Sequence, residues 1–274
     1  MPSFNNIAVD KLARLIATPA APALVDVRGG SDGRIIPGSI QYPADQVEHW
    51  AGAVGAASAV VIDDDGGTTA QAVAAWLRST GLQAETLDGG YAAWRTAKLP
   101  TVSLHRLPRR DGEGRTLWVT RVRPKIDRIA CPWLIRRFVD PRARFLFVPA
   151  GEVITIAERL GAAAFDLNQD GVFWSHRGER CTFDLMVEEF GLSGTPALDY
   201  LAGIVRGADT GHPDLVPEAA GLLAVSLGLS RMYADDLEQL EAGMLVYDAL
   251  YRWCRDARDE THDWSVHQPR EVRA

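Results

Sequence analysis

The sequence is poor in cysteine, and the three cysteines that it contains lie far apart. Cys131, Cys181 and Cys254 form no Cys-x-x-Cys pair and are odd in number in a chain of 274 residues. This usage argues against a disulfide framework and favours free thiols in a reducing compartment. We therefore expect a cytoplasmic protein.

Long apolar runs and a leader-like start are also missing. No apolar run approaches the roughly 18 residues that a membrane-spanning helix needs. The start of the chain, residues 1–6, shows no basic region followed by an apolar stretch, so we expect neither a signal peptide nor a membrane partner. Hydrophobic residues at 47% and charged residues at 24% are typical of a soluble globular protein, and the length predicts two domains.

Negative charge dominates the chain but is unevenly distributed. The net charge is −7, yet residues 103–144 hold twelve Lys and Arg against four acids, which leaves −15 for the remainder. This basic band suggests an anion, a partner surface or nucleic acid. A solvated linker followed by an exposed helix face fits the band equally well. Because no helix-turn-helix pattern stands out and the overall charge is negative, we expect at most weak, non-specific DNA binding.

The first hundred residues alternate between buried strands and helices. The pattern predicts strands over 23–27, 58–62 and 83–87, with helices over 5–18, 45–52 and 70–80 and another that begins at Gly89. Such alternation predicts an α/β fold with a parallel sheet and flanking helices.

Four motifs in this region, in this order, resemble those of the rhodanese domain. They are Leu24–Arg28, Ile36–Ile40, Val60–Ile62 and Leu87–Trp94. The resemblance covers about residues 5–100 and implies a rhodanese-like domain over 1–102, which can dock a protein partner.

Where that family has its persulfide-carrying Cys, this chain has an aspartate. The degenerate loop comprises Asp63, Asp64, Asp65, Gly66, Thr68 and Thr69. Because Asp forms no persulfide and three carboxylates repel an anionic sulfur donor, the resemblance implies a fold without sulfurtransferase activity. The acids either complement a helix N-terminus or offer oxygen ligands, with Thr68, to a cation.

After a Pro-, Arg- and Gly-rich basic linker at 103–115, a second domain is expected over 116–274. It is predicted to be a mainly α-helical α+β domain. The predicted strands are 117–122, 144–149 and 171–176, and the predicted helices are 125–139, 152–160, 182–190, 196–206, 217–227 and 235–257. Pro132 marks the first turn of its helix or kinks it.

The stretch from Gly171 to Phe190 concentrates reactive side chains. His176 is predicted at a strand end, with Cys181 and Asp184 at the start of the next helix. A thiol at a helix N-terminus between Arg177 and Arg180 should have raised thiolate character. Alternatively, Asp184 only complements the helix dipole, Cys181 is a packed small hydrophobe and His176 a turn residue.

Residues 115–255 resemble the C-terminal domain of the ChrB-like chromate-resistance proteins, whose known members are associated with chromate sensing and operon regulation. The motifs that carry the resemblance are Trp118–Arg121, Lys125–Ala130, Trp133–Pro141, Phe145–Pro149, His176–Asp184, Pro196–Leu198 and Ile204–Asp209. Those proteins usually carry a different N-terminal domain.

We expect a metal site formed by His176, Cys181, Asp184 and Asp209, with zinc, iron or copper as its ion. Asp209 ends a helix, where the dipole disfavours a carboxylate. For an oxyanion such as chromate we expect a wall of Arg128, Arg177 and Arg180, with Asp127 close by. Three hypotheses follow: a metal- or oxyanion-binding stress-response protein of chromate resistance, a metal- or thiol-dependent redox enzyme, and a regulator or interaction scaffold.

Overall fold

The computed structural model describes residues 5–30 and 32–260. Its strands are β1 Asn6–Ile7, β2 Ala23–Asp26, β3 Arg34–Ile35, β4 Ser39–Gln41, β5 Ser58–Ile62, β6 Gln83–Leu87, β7 Val102–Ser103, β8 Leu117–Arg121, β9 Arg144–Val148 and β10 Ala163–Ala164. Its α-helices are α1 Val9–Leu15, α2 Val47–Trp50, α3 Thr68–Ser79, α4 Gly90–Thr96, α5 Asp127–Leu134, α6 Val153–Leu160, α7 Thr182–Glu189, α8 Pro196–Asp209, α9 Ala219–Met232 and α10 Asp236–Asp256.

The N-terminal region is the expected α/β unit. Its five-stranded sheet has the order β1-β6-β5-β2-β4, and every pairing in it is parallel. The central strand β5 is a nearly continuous apolar run, with Ala59 to Ile62 buried, because helices cover both faces of the sheet. The predicted helix over 5–18 was wrong at its start. Asn6 and Ile7 pair instead with Thr86 and Leu87, a long-range pairing that overrides the local helical pattern.

The second domain packs helices around a smaller parallel sheet of order β10-β8-β9. The predicted strand over 171–176 was wrong, because these residues form a loop in which Trp174 makes one isolated bridge to Phe165. The apolar Trp174 is buried at 5% exposure and packs edge-on against Trp118. Burial of the Trp174 side chain, rather than strand pairing, explains the apolar residues over 172–174.

Helix α5 contains Pro132 in its interior, five residues after its start at Asp127. The interpretation that Pro132 marks the first turn of the helix was therefore wrong. Proline has no amide proton to donate to the preceding turn. The helix continues as a π-helical turn over Ile135–Val139, where the amide of Asp140 donates to the carbonyl of Ile135. Such turns are frequent at functional sites.

The two domains share one hydrophobic core. A single cluster of buried side chains includes Leu12 and Trp94 from the first domain and Trp118, Trp133 and Phe183 from the second. The amide of Gly38 also donates to the carbonyl of Phe138 across the boundary at 2.6 Å. The apolar surface that each domain leaves uncovered is therefore buried against the other.

Several arginines of the basic band are paired with acids. Arg136 binds Glu241 at 2.5 Å and Arg137 binds Asp248 at 2.8 Å, both acids of α10. Within the linker, Arg115 binds Asp111. The expectation of a solvated helix face was therefore wrong for Arg136 and Arg137. Among the described residues, no helix combines the length and apolar character that crossing a membrane requires.

Candidate metal centre

Three carboxylates converge on one imidazole nitrogen in the second domain. His176 Nε2 lies 3.5 Å from Asp127 Oδ2, 3.3 Å from Asp166 Oδ1 and 3.2 Å from Asp209 Oδ2. The His176 side chain is 37% exposed, whereas Asp127 is fully buried. We call these four residues the His176 cluster. It faces solvent on the histidine side and the protein core on the aspartate side.

Asp127 is fixed by backbone amides of the neighbouring helix. As the first residue of α5, it accepts hydrogen bonds from the amides of Thr182 at 2.6 Å and Phe183 at 3.2 Å, at the N-terminus of α7. The preceding residue, Ile126, has φ of 39°, which is uncommon for a β-branched side chain. Its carbonyl accepts a hydrogen bond from Tyr247 of α10. Strained backbone that the surrounding structure holds in place is characteristic of functional sites.

Asp166 follows β10 at the carboxyl end of the small sheet. Its φ of 49° is also positive, and its Oδ2 binds Arg128 Nε at 3.1 Å and Arg121 Nη2 at 3.4 Å. Thr182 Oγ1 donates to its Oδ1 at 3.3 Å. Asp209 is the last residue of α8, at a helix end as the sequence indicated, although the helix extends beyond the predicted bound at Arg206. The carboxyl ends of parallel strands and the end of a helix thus bring side chains from four separate segments together.

The crowding of three acids around one histidine shifts pKa values within the cluster. Burial raises the pKa of Asp127 to about 7, with Asp209 and Asp166 adding to the rise and His176 opposing it. Hydrogen bonds to Asp127, Asp166 and Asp209 raise the pKa of His176 to about 12. Burial alone would raise the pKa of Asp166, but His176, Arg128 and Arg121 outweigh it and lower that pKa. The cluster therefore favours a positive charge at the point where its acids meet.

A metal ion fits this point chemically. Ligand atoms of Asp127, Asp166 and His176 all lie within 4.8 Å of one another. Asp209 reaches the histidine at 3.2 Å but stands outside this trio. One imidazole nitrogen and carboxylate oxygens form a donor set for manganese, iron or zinc.

Two residues expected as ligands have other roles. Cys181 is fully buried, and burial raises the pKa of its thiol well above the ordinary value, with Asp127 and Asp184 adding to the rise. The expected thiolate character was therefore wrong. Asp184 accepts a hydrogen bond from the Cys181 amide at 3.0 Å and binds Arg206 at 2.8 Å. These two residues form the N-terminal cap of α7, which was the alternative interpretation.

The arginines expected to bind an oxyanion already have carboxylate partners. Arg128 binds Asp166 at 3.1 Å, and the exposed Arg177 and Arg180 bind Glu189 at 3.3 Å and Glu188 at 2.6 Å. A separate pocket of about 570 Å³ opens on the solvent side of the histidine. Its lining includes His176, Arg206, Thr210 and His212.

Sequence reasoning missed Asp166 and Arg121. The signal for Asp166 is a short apolar run over 162–165 that ends in an aspartate. The run is too short to be recognised as a strand by periodicity, and β10 comprises two residues. Arg121 ends a strand that was predicted, and its position at the carboxyl end of β8 was the available signal.

The degenerate rhodanese loop holds Asp63 where its carboxylate occupies the amide cradle. Asp63 Oδ1 accepts from the amides of Gly66 at 2.6 Å and Gly67 at 3.2 Å, and Oδ2 accepts from Ala70 at 2.9 Å. Gly90 packs so closely that a Cβ there would lie 2.5 Å from the Gly66 nitrogen. Asp63 thus complements the N-terminus of α3, the first of the two interpretations. Asp64 and Asp65 line the adjoining cleft of about 820 Å³ together with Thr69.

Known protein families match both halves of the chain. The profile described as ChrB, C-terminal domain matches residues 118–254, and the profile of the rhodanese-like domain matches residues 8–97. Protein ChrB of Cupriavidus metallidurans is 36% identical over 148 residues, covering 53% of this chain and 43% of that protein. The chain therefore spans less than half of the length of this relative.

Solved structures are also similar to part of the chain. A thiosulfate sulfurtransferase from Pseudomonas aeruginosa is 25% identical, with a TM-score of 0.33, over 37% of this chain and 20% of that one. A rhodanese-related protein from Thermoplasma volcanium is 22% identical, with a TM-score of 0.33, over 37% of this chain and 100% of that one.

Proposed function

Because the chain belongs to the ChrB family through its C-terminal domain, we propose that it is a chromate-resistance protein that binds a divalent metal ion at the His176 cluster. The observation that carries the proposal is the approach of three carboxylates to His176 Nε2 at 3.2–3.5 Å. Asp127, Asp166 and His176 are the proposed ligands, and Asp209 completes or orients the site.

The excess of negative charge supports a cation there. Three acids meet at one nitrogen, and two of them, Asp127 and Asp166, are buried at 0% and 9% side-chain exposure. Buried carboxylates are costly unless they are paired or bind a metal. Arg128 and Arg121 offset Asp166, whereas Asp127 relies on His176 and on two amides. A divalent ion in place of the histidine proton would neutralise this group more completely.

The proposed ion is manganese, iron or zinc. Copper(I) is a weaker choice than the sequence suggested, because the soft ligand Cys181 is a buried, protonated cap. Burial raises the pKa values of Cys131 and Cys254 as well, the latter to about 11. The described thiols are therefore poor nucleophiles, which argues against a thiol-dependent enzyme.

The pocket beside His176 provides an open side for an additional ligand. Catalytic metal sites keep a coordination position for water or substrate. The histidine side is 37% exposed, and the pocket wall contains His212 and Arg206, which is paired with Asp184, beside the acids Glu179 and Asp214. An oxyanion such as chromate, bound through the metal ion, is the class of ligand that we propose for this open side. The rhodanese-like domain, which has Asp63 in its cradle, serves in this proposal as a sulfurtransferase-inactive docking module.

Calorimetric titration of metal-free full-length protein with Mn²⁺, Zn²⁺ and, without oxygen, Fe²⁺ tests the metal site. We expect one ion per chain. Asp166→Asn and His176→Ala should weaken binding by more than the roughly 10–100-fold that loss of an outer-shell partner costs. His212→Ala is the matched control, because this histidine lines the same pocket outside the trio. Unchanged affinity in the His176 variant would refute the assignment.

A further inference from the structure

A cleft between the two domains has apolar walls and a row of arginines along one side. Its volume is about 460 Å³, and it shares no residue with the His176 cluster. Leu24, Ile40, Val54 and Ala56 of the first domain contribute to the apolar side. Arg136, Arg137 and Arg142 of the second domain contribute the charged side. A site of this kind suits a ligand that has both an apolar part and a negative charge.

Arg142 differs from the other two arginines of the cleft. Arg136 and Arg137 bind Glu241 and Asp248, so their charges are compensated. For Arg142, the described residues offer no carboxylate within ion-pair distance, and its Nε is buried without a hydrogen-bond acceptor. An unpaired guanidinium leaves donors without acceptors, which is costly, and an anionic ligand at its terminal nitrogens would supply acceptors.

A second pocket of about 530 Å³ adjoins the cleft, because both are lined by Arg136, Pro141 and Arg142. This pocket adds Arg144, which is exposed and has no ion pair within residues 5–30 and 32–260. Arg115 also lines it and is bound to Glu113 at 2.7 Å. Arg142, at the junction of the two pockets, and Arg144, in the second pocket, therefore each provide an uncompensated charge.

The Arg142 head has neighbours in the first domain and in the linker. Its guanidinium carbon lies 5.7 Å from the centroid of the Tyr42 ring in the first domain. Gly114 of the linker leaves room for it, because a Cβ there would lie 3.2 Å from Arg142 Nη2. Tyr42 is itself stacked on Trp50 at 4.5 Å. Both domains and the linker thus shape the surroundings of an arginine that has no acidic partner among the described residues.

We propose that this interdomain cleft binds a small organic oxyanion, with its apolar body against Leu24, Ile40 and Val54 and its negative head on Arg142, where the cleft adjoins the pocket that contains Arg144. Phosphate and carboxylate heads fit the fork of a guanidinium, and a sulfonate head has the same charge and tetrahedral oxygen arrangement as a phosphate ester. Because the cleft is lined by both domains, the ligand would contact the rhodanese-like domain and the ChrB-type domain at once.

Fluorescence titration with anilinonaphthalene sulfonate tests the site, since this probe combines an aromatic body with an anionic head. The full-length protein should bind it at one site, and inorganic sulfate should displace it. Arg142→Gln and Arg144→Gln should each weaken the affinity about tenfold, the expected effect of losing a charged hydrogen bond. Ala56→Phe, which fills the apolar side, should weaken it without changing the charge. Neutral phenylnaphthylamine should bind at least tenfold more weakly.

Two variants serve as matched controls. Arg109→Gln removes an exposed arginine of the same basic band, and Met232→Gln removes an apolar side chain that is 72% exposed on α9. Both should bind the probe as the wild type does. Wild-type affinity in the Arg142 and Arg144 variants, equal losses in the controls, or equally tight binding of the neutral probe would overturn the proposal. If the Arg142→Gln variant does not fold, the probe affinity of the Arg144→Gln variant decides the test, because Arg144 is exposed.

Discussion

Metal binding at the His176 cluster should release protons in a number that follows from the two raised pKa values. His176, with a pKa of about 12, is protonated at neutral pH and must lose that proton before Nε2 can bind a metal. Asp127, with a pKa of about 7, is half protonated at pH 7 and ionised well above it. Ligation should therefore release about 1.5 protons at pH 7, about two near pH 5.5 and about one near pH 8.5.

The direction in which metal affinity changes with pH follows from this proton release. Because binding expels protons, metal affinity rises with pH, and the slope of log affinity against pH equals the number of protons released. Calorimetry in buffers of different ionisation enthalpy measures that number. In Asp127→Asn the release should stay near one proton at every pH, since only His176 then titrates. Release close to zero at pH 7 in the wild type would refute the role of His176 as a ligand.

Three further outcomes are expected. The protein should show no thiosulfate:cyanide sulfurtransferase activity, and Asp63→Cys should not restore it, because Asp64 and Asp65 still repel the donor; measurable wild-type turnover would disprove this. Asp184→Ala should lower the free energy of unfolding in urea by at least about 1–2 kcal/mol through loss of the α7 cap, and further through loss of the Arg206 ion pair, while metal affinity stays within a few-fold; a large loss of affinity would make Asp184 a ligand. DNA binding in gel-shift assays should be weak, sequence-independent and lost at physiological salt, and a footprint that persists there would revive the regulator hypothesis.

The fold class was predictable because the sheet of the first domain is buried on both faces. The sequence predicted strands over 58–62 and 83–87, each between turn residues. The structure has strands with these bounds, Ser58–Ile62 and Gln83–Leu87. Strand β1 was not predictable from the local pattern. Residues Asn6 and Ile7 precede a helix and become a strand only through their partners at Thr86 and Leu87.

The sequence also predicted part of the candidate site, where the signal lies in the local sequence. His176 and Asp209 were found because one lies in an unusual polar motif and the other at a helix end where the dipole disfavours an acid. Cys181 was misjudged because its burial depends on packing that local sequence does not reveal. Asp166 was missed because its strand has two residues and gains its place only by pairing with β8.

X-ray absorption spectroscopy of the zinc-loaded full-length protein tests the metal site most directly. The His176 cluster predicts a first shell of nitrogen and oxygen at about 2.0–2.2 Å, with the scattering signature of a single imidazole. It also predicts no sulfur ligand, because Cys181 is a buried, protonated cap. A sulfur shell at about 2.3 Å, or an ion bound without any imidazole, would contradict the account.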